Sequence, residues 1–149
     1  MTRVRTAVLL ALFASLLVVP ATAAASSPQI LMLQKVNAYR AAHGVGKVHL
    51  SRSLEHSAAS YSRYMLRSGY FGHASRIHAS RRYRTLGEII ELHRGLRARV
   101  STAFHAWVNS PPHRSVMLMR QFKFAGAGFA SGRFNGHRDT LWTMHFGRH

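Results

Sequence analysis

The apolar residues in the first two thirds of the chain recur every three or four positions, which is the spacing of amphipathic helices. The first such segment begins at Pro28 and stops before Gly44, and two more span roughly 52–67 and 97–108. A short fourth helix is expected to begin at Pro112. The predicted buried faces contain Ile30, Leu33, Val36, Leu54, Ala58, Tyr61, Met65, Val100, Phe104, Trp107 and Val108.

The last third of the chain changes to the two-residue alternation of β-strands. A glycine-rich strand is predicted over 124–129, a turn at Asn135-Gly136, and a second strand over 140–146. Helices followed by strands, without strand–helix–strand alternation, predict an α+β sandwich. On the last strand Trp142, Met144 and Phe146 share one face, and Leu141, Thr143 and His145 share the other.

The N-terminus has the pattern of a secretory signal peptide. Two arginines precede an apolar run from Ala7 to Val19, and small residues follow up to Ala25. We therefore expect a signal peptide over 1–25 and one domain over 28–149. An uncleaved membrane anchor is the alternative, although the apolar run is short for a bilayer.

The amino-acid composition limits the kinds of functional site that the chain can form. The chain has no cysteine, so disulfides and a cysteine nucleophile are excluded, and a metal could be held only by His, carboxylate and water. Lys and Arg number 21 against 4 acidic residues, for a formal charge of +17. This charge favours attraction to polyanions, or else reflects a solvated basic surface. No basic run is interleaved with aromatic residues, so we expect no specific nucleic-acid partner.

Six segments, taken in order, resemble the CAP or SCP domains found in cysteine-rich secretory proteins, antigen 5 and pathogenesis-related 1 proteins. The segments are 33–44 (LQKVNAYRAAHG), 70–73 (YFGH), 87–90 (GEII), 106–114 (AWVNSPPHR), 126–128 (GAG) and 142–147 (WTMHFG). The resemblance is to the cysteine-free bacterial branch and covers nearly all of 28–149. It implies a three-layer α-β-α sandwich.

The same resemblance implies that His73, Glu88 and His113 line one central cleft, with Ser110 beside them. Ser110 stands where many animal and plant members carry a second glutamate, and Ile89 stands where the family usually has asparagine. The cleft is therefore expected to carry fewer polar groups than in the fullest members of the family.

His73 and His113 are the candidate metal ligands, because neutral imidazole suits Zn²⁺ or another divalent cation. Two ligands without a third strong one predict weak, exchangeable binding. The alternative is a hydrogen-bonded His–Glu–His network that only holds loops onto the sandwich. In either case Glu88 is expected to be ionised and to orient an imidazole.

We expect a monomeric, secreted binding module of the extracellular space or cell envelope, with a lipid, wall polymer or protein as ligand, and not an enzyme. One alternative is a metal-assisted hydrolase that uses His73, Glu88 and His113. In it, Glu88 acts as general base on a metal-bound water. A serine hydrolase is disfavoured because Asp139, the only aspartate, lies in a predicted hairpin away from Ser110. The other alternative is charge-driven binding to anionic lipid or wall polymer.

Several further side chains have expected roles outside the cleft. Trp107 is predicted to anchor the core, and Asn37 and Arg40 to tie the first helix to a neighbour by hydrogen bonds. His145 is predicted to face either the cleft or the solvent. The histidines expected at the surface are His78, His93, His137 and His149.

Overall fold

The computed structural model describes residues 26–149, so the predicted signal peptide lies outside the described part of the chain. None of the helices in 26–149 is long and apolar enough to cross a membrane. In chain order the elements are α1 (Pro28–Ala42), β1 (His49–Leu50), α2 (Arg52–Ser68), β2 (Thr85–Arg94), α3 (Val100–Asn109), α4 (Pro111–Leu118), β3 (Phe124–Phe134) and β4 (His137–Arg148).

The four strands form one sheet in the order β1-β3-β4-β2. Strands β3 and β4 form a hairpin through Asn135 and Gly136, which both have positive φ, as the predicted Asn-Gly turn requires. Strand β2 pairs antiparallel with β4, and Glu88 lies opposite His145 in that register. The sequence predicted only a short apolar segment at 87–92, whereas β2 is ten residues long because it pairs with β4 along its whole length.

Helix α2 packs against one face of the sheet, and α1, α3 and α4 cover the other face. This confirms the three-layer α-β-α sandwich. Two glycines of β3 allow α2 to lie directly on the strand. A Cβ at Gly126 would lie 2.1 Å from the backbone nitrogen of Glu55, and one at Gly128 would lie 2.2 Å from that of Ala59. Even alanine at either position would push α2 off the sheet.

The face covered by three helices holds the larger apolar core. Trp107 is fully buried there, and its Nε1–H donates to the carbonyl of Ile90 at 2.9 Å. The structure thus places Trp107 in the core, as the sequence predicts.

The guanidinium of Arg40 is also fully buried, and it donates to four backbone carbonyls, which are those of Gly46, Met117, Met119 and Phe122. Asn37 forms a two-way pair with the backbone of Val48 at 2.8 and 2.9 Å. Both residues therefore join α1 to neighbouring segments by hydrogen bonds, in agreement with the sequence-based expectation. Their bonds satisfy polar groups that burial would otherwise leave without partners.

Candidate functional site

Glu88 lies at the centre of a hydrogen-bonded group on the α2 side of the sheet. Its side chain is only 6% exposed. One carboxylate oxygen, Oε1, accepts from the backbone N–H of Ala74 at 2.9 Å and lies 2.9 Å from His73 Nδ1. The other oxygen, Oε2, lies 2.9 Å from His145 Nε2. We call Glu88, His73 and His145 the Glu88 group.

These contacts determine the ionisation of Glu88. Burial alone would raise the pKa of this carboxyl, but hydrogen bonds from His145, from the Ala74 N–H and from His73 outweigh burial and hold the pKa below its usual 4.5. Glu88 is therefore a carboxylate at neutral pH, and both of its oxygens are already hydrogen-bonded. It orients two imidazoles, and each of its oxygens already accepts at least one hydrogen bond.

His145 enters the site from β4 as the direct neighbour of Glu88 across the strand pair. It is 1% exposed, and its Nδ1 has no hydrogen-bond partner in the described part of the chain. The sequence left open whether His145 faces the cleft or the solvent, and the structure places it against Glu88. The alternation along β4 indicated its face, but only the β2–β4 register gives it this partner.

His113 approaches the group from the first turn of α4, which Pro111 and Pro112 start. Its ring centroid lies 5.9 Å from that of His73. Burial and then the nearby His73 lower the pKa of His113 below its ordinary 6.5, so its imidazole is neutral at pH 7. His113 makes no hydrogen bond to Glu88 within 26–149, so the carboxylate lies between His73 and His145 instead of between His73 and His113.

The donor set fits a divalent cation with two protein ligands. His73 uses Nδ1 toward Glu88, which leaves Nε2 as a ligand atom, and His113 is neutral. A carboxylate behind a ligand histidine is the usual supporting arrangement for a metal site. Among residues 26–149, no group of three or more His, Asp or Glu side chains has the geometry of a metal site. The fit is therefore to two imidazoles with the remaining positions left to solvent or ligand.

Ser110 lies between α3 and α4, where its N–H donates to the carbonyl of Trp107 and its side chain makes no capping hydrogen bond. Nothing in the described chain links its hydroxyl to the Glu88 group. Asp139 is buried in β4 and accepts two hydrogen bonds of 3.0 Å from Arg94. The structure thus brings together no Ser–His–Asp arrangement from these residues.

An open cleft of about 760 Å³ lies beside the Glu88 group, between α2 and the segment that follows it. His73 and His145 border the cleft. Its lining residues are Ser53, His56, Ser57, Ser60, Tyr61, Tyr64, Tyr70, His73, Ala74, Ser75, Arg76, Ile77, His78 and His145. Of these residues, the sequence predicted His73 in the cleft and left His145 between the cleft and the solvent. Tyr70 lies within a motif of the resemblance without a predicted role, and the others lie outside those motifs.

Burial at the far end of β2 corrects one prediction. His93 was expected at the surface, but it is 9% exposed, with Nδ1 2.9 Å from Glu91 Oε2 and Nε2 2.9 Å from the carbonyl of Arg97. Its place in a strand whose alternate residues face the three-helix layer explains the burial. The arginines beside it in the sequence suggested a loop, whereas Arg94 in fact turns its side chain to Asp139.

Residues 33–146 match the family described as the cysteine-rich secretory protein family, CAP. This chain belongs to that family. It contains none of the cysteines for which the family is named. The family match spans His73, Glu88, His113 and His145, and so covers the whole of the candidate site.

Solved structures show the same fold. An extracellular SCP-domain protein of Bacillus anthracis is 21% identical, with a TM-score of 0.65, and the match covers 82% of this chain and 40% of that one. An outer surface protein of Borrelia burgdorferi is 14% identical, with a TM-score of 0.64, over 80% and 90% of the two chains. A cysteine-rich secretory protein of Staphylococcus aureus is 23% identical, with a TM-score of 0.59, over 82% and 39%.

This chain therefore spans about two fifths of the Bacillus and Staphylococcus proteins and most of the Borrelia protein. No curated protein sequence matches the chain. At these identities the solved structures establish the fold and not the ligand.

Proposed function

We propose that this chain is an exported binding module that holds its ligand in the cleft beside the Glu88 group and does not cleave it. The observation that carries the proposal is the arrangement of donors around Glu88, whose two oxygens accept from His73, Ala74 and His145. A carboxylate held by these donors is a weaker base than a free one, because their hydrogen bonds favour its ionised form and lower its pKa. The hydrogen bonds of the Glu88 group hold the two imidazoles in fixed orientations.

A location in the extracellular space or the cell envelope is supported by two observations. The N-terminal segment has the pattern of a signal peptide. Proteins of the same fold include one described as extracellular and one described as an outer surface protein.

His73 and His113 are proposed to hold Zn²⁺ or another divalent cation weakly. The cation would supply a positive charge next to a bound ligand oxygen. Glu88 would orient His73 through Nδ1 and so leave Nε2 as the ligand atom. The half-buried position of His113 keeps its imidazole neutral and ready to bind. Two protein ligands, without a third, predict an exchangeable ion.

Zinc titration by calorimetry tests this assignment. Wild type is compared with His73→Ala/His113→Ala and with His105→Ala/His137→Ala, a matched control in which two exposed histidines elsewhere are removed. The site variant should weaken binding by more than about tenfold, and Glu88→Gln by about tenfold through loss of the supporting carboxylate. The control should bind like wild type. Equal affinity in wild type and the His73/His113 variant would overturn the metal assignment.

Hydrolysis is the outcome that would overturn the non-enzymatic proposal. Peptide, ester and glycan substrates are incubated with the wild-type protein, with and without Zn²⁺. Turnover that disappears in Glu88→Gln, while that variant stays folded, would assign the hydrolase function to His73, Glu88 and His113.

Charge-driven polyanion binding is the second candidate, favoured by the formal charge of +17. It predicts retention on heparin or anionic vesicles that falls steeply with salt. Retention that is insensitive to salt would overturn this candidate.

A further inference from the structure

The cleft beside the Glu88 group is lined mainly by aromatic and polar side chains. Its volume of about 760 Å³ falls within the range of small-ligand sites, about 300–1,000 Å³. Tyrosine, serine and histidine side chains make up most of the wall, and Ile77 is its only large aliphatic residue within 26–149. A ligand here meets aromatic faces and hydrogen-bonding groups and almost no aliphatic surface.

Three tyrosines form the aromatic part of the wall. The rings of Tyr61 and Tyr64 stack with centroids 5.9 Å apart and an angle of 21° between their planes. Tyr64 is 51% exposed and Tyr70 is 49% exposed. These two rings are therefore available to a ligand, and their flat surfaces suit flat apolar faces on the ligand.

The polar groups between the rings offer both donors and acceptors. The hydroxyl of Tyr61 donates to the carbonyl of Gly72 at 2.7 Å, which leaves its oxygen able to accept. Burial, followed by the charge of Glu88, raises the pKa of Tyr61 to about 12, so the hydroxyl keeps its proton. Serine hydroxyls and the imidazoles of His56 and His78 add further partners. Such a mixed set matches a ligand that carries many hydroxyl groups.

The side chain that lines the cleft and carries a fixed charge is basic. Arg76 lines the cleft, and no carboxylate among the described residues does. A smaller cavity of about 370 Å³ adjoins the same segment, shares Ala74, Ser75, Arg76 and Ile77 with the cleft, and is also lined by Arg81. An extended ligand that follows this segment would meet two guanidinium groups, which bind carboxylates well.

We propose that the cleft binds an acidic saccharide chain. Sugar rings have apolar faces that pack on tyrosine, hydroxyls that pair with the serine, tyrosine and histidine groups, and, in uronic acids, carboxylates that pair with Arg76 and Arg81. A fatty acyl chain would instead leave the serine, tyrosine and histidine groups of the cleft without hydrogen-bond partners. This inference rests on the proposed function of the cleft as a ligand site, and it does not require a metal ion.

The test uses oligogalacturonate as the acidic probe, its methyl ester as a neutral probe of the same backbone, and the fluorescent fatty acid cis-parinaric acid. Affinity is measured by calorimetry or fluorescence at physiological salt, with EDTA present. Wild type should bind oligogalacturonate more tightly than the ester, and cis-parinaric acid not at all. Tyr64→Ala/Tyr70→Ala, which keeps the net charge, should weaken oligogalacturonate binding by about tenfold.

Two matched controls separate the cleft from the general basic charge. Arg76→Gln should weaken binding of the acidic probe by about fivefold, whereas Arg67→Gln, an equal charge change on α2 outside the cleft lining, should not. Phe71→Ala, an exposed aromatic residue outside the lining, should bind like wild type.

Unchanged binding in Tyr64→Ala/Tyr70→Ala, equal losses in Arg76→Gln and Arg67→Gln, or binding of cis-parinaric acid alone would overturn the saccharide assignment. Binding of fatty acid alone would still leave the cleft a ligand site, so that result separates failure of this inference from failure of the proposed function. Absence of binding to any probe would overturn the saccharide assignment, while Zn²⁺ titration tests the histidines separately.

Discussion

Two buried glutamates lie three residues apart on β2, and each is paired with histidine, yet their ionisation shifts in opposite directions. Glu88 faces α2 and has its pKa lowered, whereas Glu91 faces the three-helix layer and has its pKa raised. Their side chains are equally inaccessible, at 6% and 7% exposed. Burial alone therefore does not decide the charge of a carboxyl group in this protein.

The difference lies in the number of donors. Glu88 accepts from two imidazoles and one backbone N–H, which together outweigh the cost of burial. Glu91 has only His93 as a hydrogen-bond partner among the described residues, and burial outweighs that single contact. A carboxylate held ionised by several donors suits a site that orients side chains.

The largest expected effect comes from neutralising Glu88, with Glu91 as the comparison. Glu88→Gln should lower the free energy of unfolding at neutral pH by about 2–3 kcal/mol, because three donors lose a charged acceptor. Glu91→Gln should lower it by less than about 1 kcal/mol, because burial already disfavours that charge. Urea unfolding followed by circular dichroism measures both. Glu55→Gln, which removes a surface ion pair with Arg52, is the control and should change little. Equal losses at positions 88 and 91 would refute the comparison.

The next largest effect comes from removing one histidine partner of each glutamate. His93→Ala should cost about 2 kcal/mol, because it leaves Glu91 buried without a partner. His73→Ala should cost only about 0.5 kcal/mol, because His73 is 58% exposed and Glu88 keeps Ala74 and His145. The same unfolding experiment, with EDTA present, checks the order. A larger loss of stability for His73→Ala than for His93→Ala would show that Ala74 and His145 cannot hold the Glu88 carboxylate without His73.

The smallest effect is a difference in pH dependence. Because the folded pKa of Glu88 lies below 4.5, its ionised form stabilises the fold above pH 4.5, and this stabilisation is lost as the pH falls through the folded value. Glu91 has a folded pKa above 4.5, so its contribution is complete below pH 4.5 and is lost as the pH rises through the folded value.

The two glutamine variants should therefore respond oppositely to pH. Between about pH 7 and about pH 3, the cost of Glu88→Gln should shrink, whereas Glu91→Gln should become less favourable relative to wild type. Unfolding curves across this range, with EDTA present, measure both trends. Parallel trends in the two variants would contradict the opposite pKa shifts.

Much of the fold followed from the spacing of residues along the chain. The helices start and stop within a few residues of the expected positions because Pro28, Pro112 and the glycines mark their ends. The predicted hairpin formed at Asn135-Gly136. The sequence did not predict the length of β2 or the burial of His93. The arginines near His93 are equally typical of a strand end and of a surface loop, so the local sequence could not distinguish the two.

The sequence by itself determined the family and the α-β-α sandwich, because those depend on local periodicity and on a run of specific motifs. Only the tertiary structure decided that Glu88 pairs with His145, 57 residues away, and that His113 stays outside the hydrogen bonds. It also decided that the cleft is walled by tyrosine and serine. Alternation along a strand fixes which residues share a face, but the strand register and the layer packed on that face determine their partners.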